Sequence, residues 1–295
     1  MHVAPECYAC LMRQALNTAR SATDDLARQA DALRETAAYL VQADASQCPA
    51  RFSQPMYDIV SRVTGVADPF AALKRRTNAL ALELLPEVRA QVVRSRDPLA
   101  KALHAAAAGN VIDAGITRGF DVRKDMRAML QEPFAINDLP LFQSLLKRGT
   151  RLLYLADNAG EIVFDALAVD RLRRFGATVT VAVKSGPIIN DATLEDAQAA
   201  GLPELCTVLE TGSADIGVDW NRAAPALRAA YDAAEIVLAK GHGHFETMCD
   251  APRPGLFFLL KAKCPVVAQA LHVRVGDLVF VHAPRALAEK TPPGH

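Results

Sequence analysis

Arg151-Leu-Leu-Tyr-Leu-Ala-Asp-Asn-Ala-Gly-Glu161 decides how the chain reads. Leu152 to Leu155 is a short apolar run, and an acid-amide pair and a glycine follow it at once. From Glu161 to Arg174 the pattern becomes helical and is stopped by Gly176. A buried strand, a polar turn and a helix in that order make one β-α unit. The same alternation continues outward. Thr178-Val-Thr-Val-Ala-Val183 is β-rich, and Asp191 to Ala200 is helix-like. Cys206 to Leu209 is extended, Ala223 to Ala230 helical and Glu235 to Leu238 extended. Leu256 to Leu260 and Leu278 to His282 supply two more strands. Strands that alternate with helices imply crossover connections and a mainly parallel sheet covered on both faces.

Upstream the chain reads as helices. Leu26, Ala30, Leu33, Ala37 and Leu40 form one apolar stripe, with Thr23 as its expected N-cap. Asp68-Pro69 and Asp97-Pro98 each place a capping acid before a proline suited to the first helical position, and a further helix is expected from Leu139 to Arg148. The expected organisation is a helical N-terminal portion over residues 1–100 and an α/β core over 101–290. The tail beyond Pro284 is expected to fray.

Bulk composition narrows the function classes. The chain has 295 residues, 51% of them apolar, which suffices for a large core. Thirty-three basic residues balance 33 acidic ones, so no broad field attracts nucleic acid or an anionic membrane. No apolar run approaches the roughly 20 residues that span a bilayer. Six cysteines are too few for a disulfide scaffold, and the expected compartment is the reducing cytoplasm.

In an open α/β sheet, ligands bind beyond the carboxyl ends of the strands. The first strand is followed by Asp157-Asn158-Ala-Gly-Glu161. The second is followed by Lys184-Ser-Gly-Pro187 and then Asn190-Asp191; the fourth by Lys240-Gly-His-Gly-His-Phe-Glu246. Two carboxylates and an amide carbonyl are hard oxygen donors of the kind that hold a divalent cation, and a lysine complements phosphate charge. Each piece also has an ordinary reading: an Asp-Asn turn with a cap, an Asn-Asp cap, a strand end at Lys240. Their coincidence at carboxyl ends is what favours a site. Neither a Gly-x-Gly-x-x-Gly fingerprint nor a P-loop follows the first strand.

Asp157-Asn-Ala-Gly-Glu161, Pro187-Ile-Ile-Asn-Asp-Ala-Thr193, Lys240-Gly-His-Gly-His-Phe-Glu246 and Lys261-Ala-Lys-Cys-Pro265 resemble, in order, the motifs of the metal-dependent damage-control phosphatases. That family is also known as domain of unknown function 89, or ARMT-like. Gly109-Asn-Val-Ile-Asp113 and Cys7-Tyr-Ala-Cys10 resemble its upstream segments, the latter typical of the prokaryotic subfamily. The resemblance implies a three-layer α/β/α sandwich. It also implies hydrolysis of small phosphate esters, such as sugar phosphates or damaged metabolites. One divalent cation is implied as cofactor: Mn²⁺, Co²⁺, Ni²⁺ or Mg²⁺. Carried over by motif, Asp157, Asn158 and Asp191 match metal ligands. Asp157 and Asp191 are also the candidate catalytic carboxylates; which of them orients an attacking water, or whether Asp157 is itself a covalent nucleophile, stays open at this level. Lys240 matches the phosphate-side lysine. Glu161, Asn110 and Asp113 match positions near the substrate.

The family segment reads Lys-Gly-x-Gly-Asn, whereas this chain carries His244 at the last position and His242 at the variable one. His244 is expected to donate a hydrogen bond to substrate or to add a nitrogen ligand; as alternatives, both histidines are partly exposed loop residues. Two rival functions stay open at this level: an adenosylmethionine-dependent carboxyl methyltransferase, and a metal- or phosphate-binding module without catalysis. Cys7 and Cys10 read as half a zinc site, a redox pair or two packed thiols.

Overall fold

The structure is a computed structural model and describes residues 1–109 and 122–288. Among these, seven strands form one sheet in the order β1-β7-β6-β5-β2-β3-β4. They are β1 (Ile136–Asn137), β2 (Arg151–Leu155), β3 (Thr178–Val183), β4 (Thr207–Glu210), β5 (Ile236–Lys240), β6 (Leu256–Lys261) and β7 (Leu278–His282). Every neighbouring pair is parallel except β6 with β7. The mainly parallel α/β sandwich expected from the alternation is the fold. The two-residue β1 and the reversal at β7 were not foreseen.

Side chains along each strand divide between two cores, as the period of two requires. Leu152, Tyr154, Val181, Leu238, Phe257 and Phe280 face one side. They meet α4 (Ala71–Arg94), α5 (Pro98–Ala108) and α8 (Glu161–Phe175) there. Leu153, Leu155, Val237, Phe258, Leu260 and Val281 face the other, under α10 (Pro225–Ala233), α11 (Gly241–Met248) and α12 (Pro265–Ala270). The helix α8 is unusual because ten of its fifteen residues are buried. It lies between the sheet and α5, whose Ala102, Ala105, Ala106, Ala107 and Ala108 are all buried. Small side chains let the two axes approach closely. Two acids, Glu161 and Asp165, are buried with α8, and the site uses both.

The first three helices, α1 (Pro5–Ala22), α2 (Leu26–Gln42) and α3 (Pro49–Thr64), share a separate apolar cluster around Leu11, Ala15, Phe52, Met56 and Val60. The stripe expected on α2 is rotated. Leu26 is exposed, and Gln29, Ala32 and Thr36 are the buried line. Asp25, not Thr23, caps that helix by accepting from Ala27 and Arg28 N–H. At Asp68-Pro69 the chain makes a turn first, and the helix opens at Ala71. The helix after Asp138 stops at Leu145, short of Arg148, because Leu146 is already extended. No helix among the described residues is long and apolar enough to cross a membrane. The tail beyond Ala288 lies outside the described residues.

Polar contacts dock the three-helix unit onto the sheet. Arg51 donates to Val218 O at 2.9 Å, and Gln54 Oε1 accepts from Ile216 N at 3.0 Å. Glu246 on α11 accepts from the backbone N–H of Ala50 at the start of α3. Burial pushes the Glu246 carboxyl up to about 8, against the lowering effect of that bond. A carboxyl raised in the folded state stabilises below its unfolded pKa of about 4.3 and loses that contribution as pH rises through the folded value. Glu246→Gln keeps the acceptor and removes the titration. Between pH 6 and pH 9 the native chain is therefore expected to lose about 2–3 kcal/mol relative to Glu246→Gln. Denaturant unfolding of both proteins at the two pH values measures this, and parallel pH profiles would refute it.

Candidate functional site

The sheet changes direction between β2 and β5. The chain proceeds from β2 to β3 on one side and from β5 to β6 on the other. The carboxyl ends of β2 and β5 therefore open into the crevice where α/β folds bind ligands. Asp157 and Asn158 leave β2 there, and Lys240 ends β5.

The loop after β3 folds back onto this point. Asn158 and Asp191 form an isolated antiparallel bridge. Ala192 N donates to Asp157 O at 2.7 Å, and Ala159 N to Asn190 O at 2.9 Å. Asp191 does not cap the following helix, α9 (Leu194–Ala199), which opens later than expected. Thr193 and Asp196 form its capping box. The ordinary explanation for Asp191 is thereby removed, and its buried carboxylate is left to the site.

The Asn158 amide donates to Asp157 Oδ2 and to Glu161 Oε1, both at 2.8 Å. With both N–H protons so directed, its carbonyl oxygen faces the other way, available as a donor atom. Burial, then the charges of Glu161 and Asp191, hold the Asp157 carboxyl well above its ordinary range. Burial also pushes Asp191 up to about 6, although Lys184 opposes it. Two buried carboxylates that resist ionisation ask for a positive charge. Gly241 makes room beside them. Its φ is +78°, and a Cβ there would lie 2.1–2.3 Å from the Asp157 carboxylate atoms. Hard oxygen donors, crowded negative charge and a cleared backbone fit a divalent cation. Among the described residues no three or more His, Cys, Asp or Glu side chains group to hold an ion. The candidate centre is thus two carboxylates and one amide, a sparse set that leaves coordination for water and substrate.

The two lysines differ. Lys240 Nζ donates to Ala106 O (2.9 Å), Glu161 Oε2 (3.1 Å) and Asp165 Oδ1 (2.8 Å), which engages all three protons. Tyr154 also donates to Asp165 Oδ1, at 2.6 Å. Lys240 thus points into the layer beneath the site. Lys184, equally buried, stands 3.6 Å from Asp191 Oδ2 and donates to Gly217 O. The sequence displayed Lys184 in the second loop but gave no reason to prefer it over Lys240.

His244 is buried on α11 and is not a loop residue. Its Nδ1 lies 2.7 Å from Lys240 O, a partner that can only accept, so Nδ1 carries the proton. Nε2 is then a bare acceptor, buried and without a partner. Burial, then the charge of Lys184, push its pKa down to about 3, which keeps the ring neutral. Of the two roles expected for His244, donation from Nε2 does not fit this tautomer, whereas a nitrogen ligand or an acceptor does. His242 is half-buried, with Nε2 2.9 Å from Lys261 O and from Lys263 N.

Glu161 joins the two halves, taking Asn158 on one oxygen and Lys240 on the other. Asn110 and Asp113 lie outside the described residues; Gly109, just before them, packs against Glu161 so closely that a Cβ would meet its Cα at 2.9 Å. Asn78 on α4 was missed. Its Oδ1 accepts from Gly160 N at 2.6 Å and its amide donates to Asp196, pinning the Asp157–Glu161 turn from above. No local signal marks it, because its partners are 82 and 118 residues away. All six cysteines are free thiols.

The damage-control phosphatase ARMT1-like domain matches residues 3–279. The chain is 33% identical to a damage-control phosphatase of Pyrococcus horikoshii, over 95% of this chain and 97% of that one. It is also 33% identical to a damage-control phosphatase of Archaeoglobus fulgidus, over 95% and 98%. An uncharacterized protein of Methanocaldococcus jannaschii is 32% identical over 95% of both chains. A crystal structure of a DUF89 family protein from Pyrococcus horikoshii superposes with a TM-score of 0.87 at 32% identity, covering 96% of this chain and 99% of that chain. With the motif order and the sheet in agreement, the chain belongs to the damage-control phosphatase ARMT1-like family.

Proposed function

We propose that this protein is a cytoplasmic, metal-dependent phosphomonoester hydrolase acting on small phosphorylated metabolites. The observation that carries the reading is the pairing of Asp157 and Asp191, two buried carboxylates drawn together by the Asn158–Asp191 bridge at the sheet's switch point. Asp157, Asn158 and Asp191 would hold one divalent ion. When bound, such an ion polarises a phosphoryl oxygen and eases deprotonation of water.

The chain's own groups supply the rest. Lys184 faces Asp191 and brings a buried positive charge beside it, so we assign it the phosphate oxygens. Lys240, with its protons committed, is a positioning residue. It fixes Glu161, which fixes the Asn158 amide, which orients Asp157. His244 Nε2 accepts a hydrogen bond from water or from a hydroxyl of the substrate.

Metal removal and substitution separate these roles. Chelation is expected to abolish turnover of a sugar-phosphate panel, and Mn²⁺ or Co²⁺ to restore it. Asp157→Asn and Asp191→Asn are each expected to lower kcat by on the order of 10³-fold. Metal-independent turnover, or a fully active Asp191→Asn, would refute the scheme. Lys184→Met is expected to lower kcat/KM by roughly 10²-fold. Lys240→Met, in contrast, strands two buried carboxylates and is expected to cost about 3–5 kcal/mol of stability by denaturant titration. Undiminished stability with lost activity in Lys240→Met would reverse the two assignments.

A further inference from the structure

We propose that the hydroxyl of Tyr57, on α3 of the N-terminal three-helix unit, donates a hydrogen bond to the phosphate of the bound ester, so that this unit supplies a group to the site. The inference rests on the phosphatase reading above for the identity of the ligand, and it assigns a residue that reading does not use.

One face of α3 runs along the loops at the carboxyl edge of the sheet. Ala50, Gln54 and Tyr57 follow at spacings of four and three, which stacks them on one side of a helix. Ala50 is buried against Ile188 and Ile216, and its backbone N–H is given to Glu246 on α11. Gln54, one turn on, accepts from Ile216 N at 3.0 Å and donates to Ala214 O at 3.4 Å. Tyr57 comes next on that face and packs against the same cluster, together with Ile189. Ile188 and Ile189 lead directly into Asn190 and Asp191, and Asp191 N donates to Ile188 O at 3.0 Å. The helix is therefore fixed at two successive turns before it reaches the loop that carries Asp191, and Tyr57 is brought to that loop by a held backbone.

The hydroxyl is open and uncommitted. Tyr57 is half-buried, and among the described residues no hydrogen bond engages its oxygen. That oxygen is not one of the enclosed polar atoms without a partner, so it keeps accessible surface. Burial, then the charges of Asp191, of Cys10 on α1 and of Glu246 on α11, push the phenol above its ordinary range. A tyrosine is protonated below about pH 10 in any case. The group beside Asp191 is thus a neutral donor with one proton to give.

Phosphate is the acceptor that gains most from it. A hydrogen bond to an ionised acceptor is about twice as strong as one between neutral groups. Lys184, assigned to the phosphate oxygens, stands 3.6 Å from the same Asp191 carboxylate and already gives one of its three protons to Gly217 O. Two protons remain for a group that presents three oxygens outside its ester bond. The phenol adds a donor from the α3 side without adding charge. Lysine and tyrosine then approach the phosphate from different layers, one from the loop after β3 and one from the N-terminal unit.

The test compares the native protein with Tyr57→Phe, which deletes the hydroxyl and keeps the ring against Ile188 and Ile189. Calorimetry measures Mn²⁺ binding alone and inorganic phosphate binding in the presence of Mn²⁺, and denaturant titration gives the unfolding midpoint. Tyr57→Phe is expected to weaken phosphate binding about tenfold. Mn²⁺ affinity and the midpoint are expected to stay as in the native protein, because the hydroxyl has no partner in the fold. Unchanged phosphate affinity overturns the proposal. So does a loss of Mn²⁺ affinity, which would put the hydroxyl on the Asp191 carboxylate, and so does a weakening that comes with a lowered midpoint, which would make it a packing group. The calorimetry needs no turnover. Native protein that binds phosphate yet hydrolyses no ester overturns the hydrolase reading, and the Tyr57→Phe comparison still decides this inference. Native protein that binds no phosphate overturns both.

Discussion

Lys240 delivers all of its ammonium protons inside the fold, and the arrangement above it depends on that commitment. One acceptor is a backbone carbonyl of α5, and the other two are acids of α8, so a single side chain ties a strand end to two helices. Burying an ion triad is not a cheap source of stability, because desolvation offsets most of the Coulombic gain. What it supplies here is registry. Glu161 can hold the Asn158 amide only while its other oxygen is held by Lys240, and Asp157 receives its orientation from that amide. The Asp157–Asn158 pair is thus aimed by a hydrogen-bonded chain that begins in the core.

The same geometry explains why the helix α8 is so deeply buried. A helix with polar residues on an outer face would leave Glu161 and Asp165 in water, where a lysine would gain little by pairing with them. Covering α8 with the alanine-rich α5 removes that water, and it places the Ala106 carbonyl where Lys240 needs a third acceptor. Gly109 at the end of α5 and Gly160 before α8 both lie where a Cβ would meet neighbouring atoms at about 3 Å. These close approaches are the steric side of the same electrostatic requirement.

Six of the seven strands were legible because each is an apolar run between turn residues, and that property is local; β1, two residues long, carries no such signal. Asp157, Asn158 and Asp191 were legible because loops at carboxyl ends can be found once the strands are known. The direction of a side chain is not local. Lys240 stands at the right place in the right loop, yet its ammonium turns inward to acids that only the folded helix presents. Lys184, one loop away, turns toward Asp191, and nothing in either sequence context distinguishes the two. The phase of the α2 stripe failed for a related reason. Gln29 and Thr36 are buried because their polar atoms bond to Thr23 O and Ala32 O, which a count of apolar residues does not see. Asn78 was invisible altogether, since its partners lie far along the chain.

His244 shows how a single departure in a motif acquires meaning from its neighbours. An amide at that position brings both a donor and an acceptor to the site. The imidazole here has spent its donor on the Lys240 carbonyl, one helical turn back, and keeps only the lone pair of Nε2. A neutral histidine so fixed is a poor partner for phosphate oxygens, which are acceptors themselves. It is a good partner for something that carries a proton, such as a water or a sugar hydroxyl. The change from amide to imidazole therefore removes a donor from this position and leaves one acceptor, so that only a group carrying a proton, or a cation, can be met there.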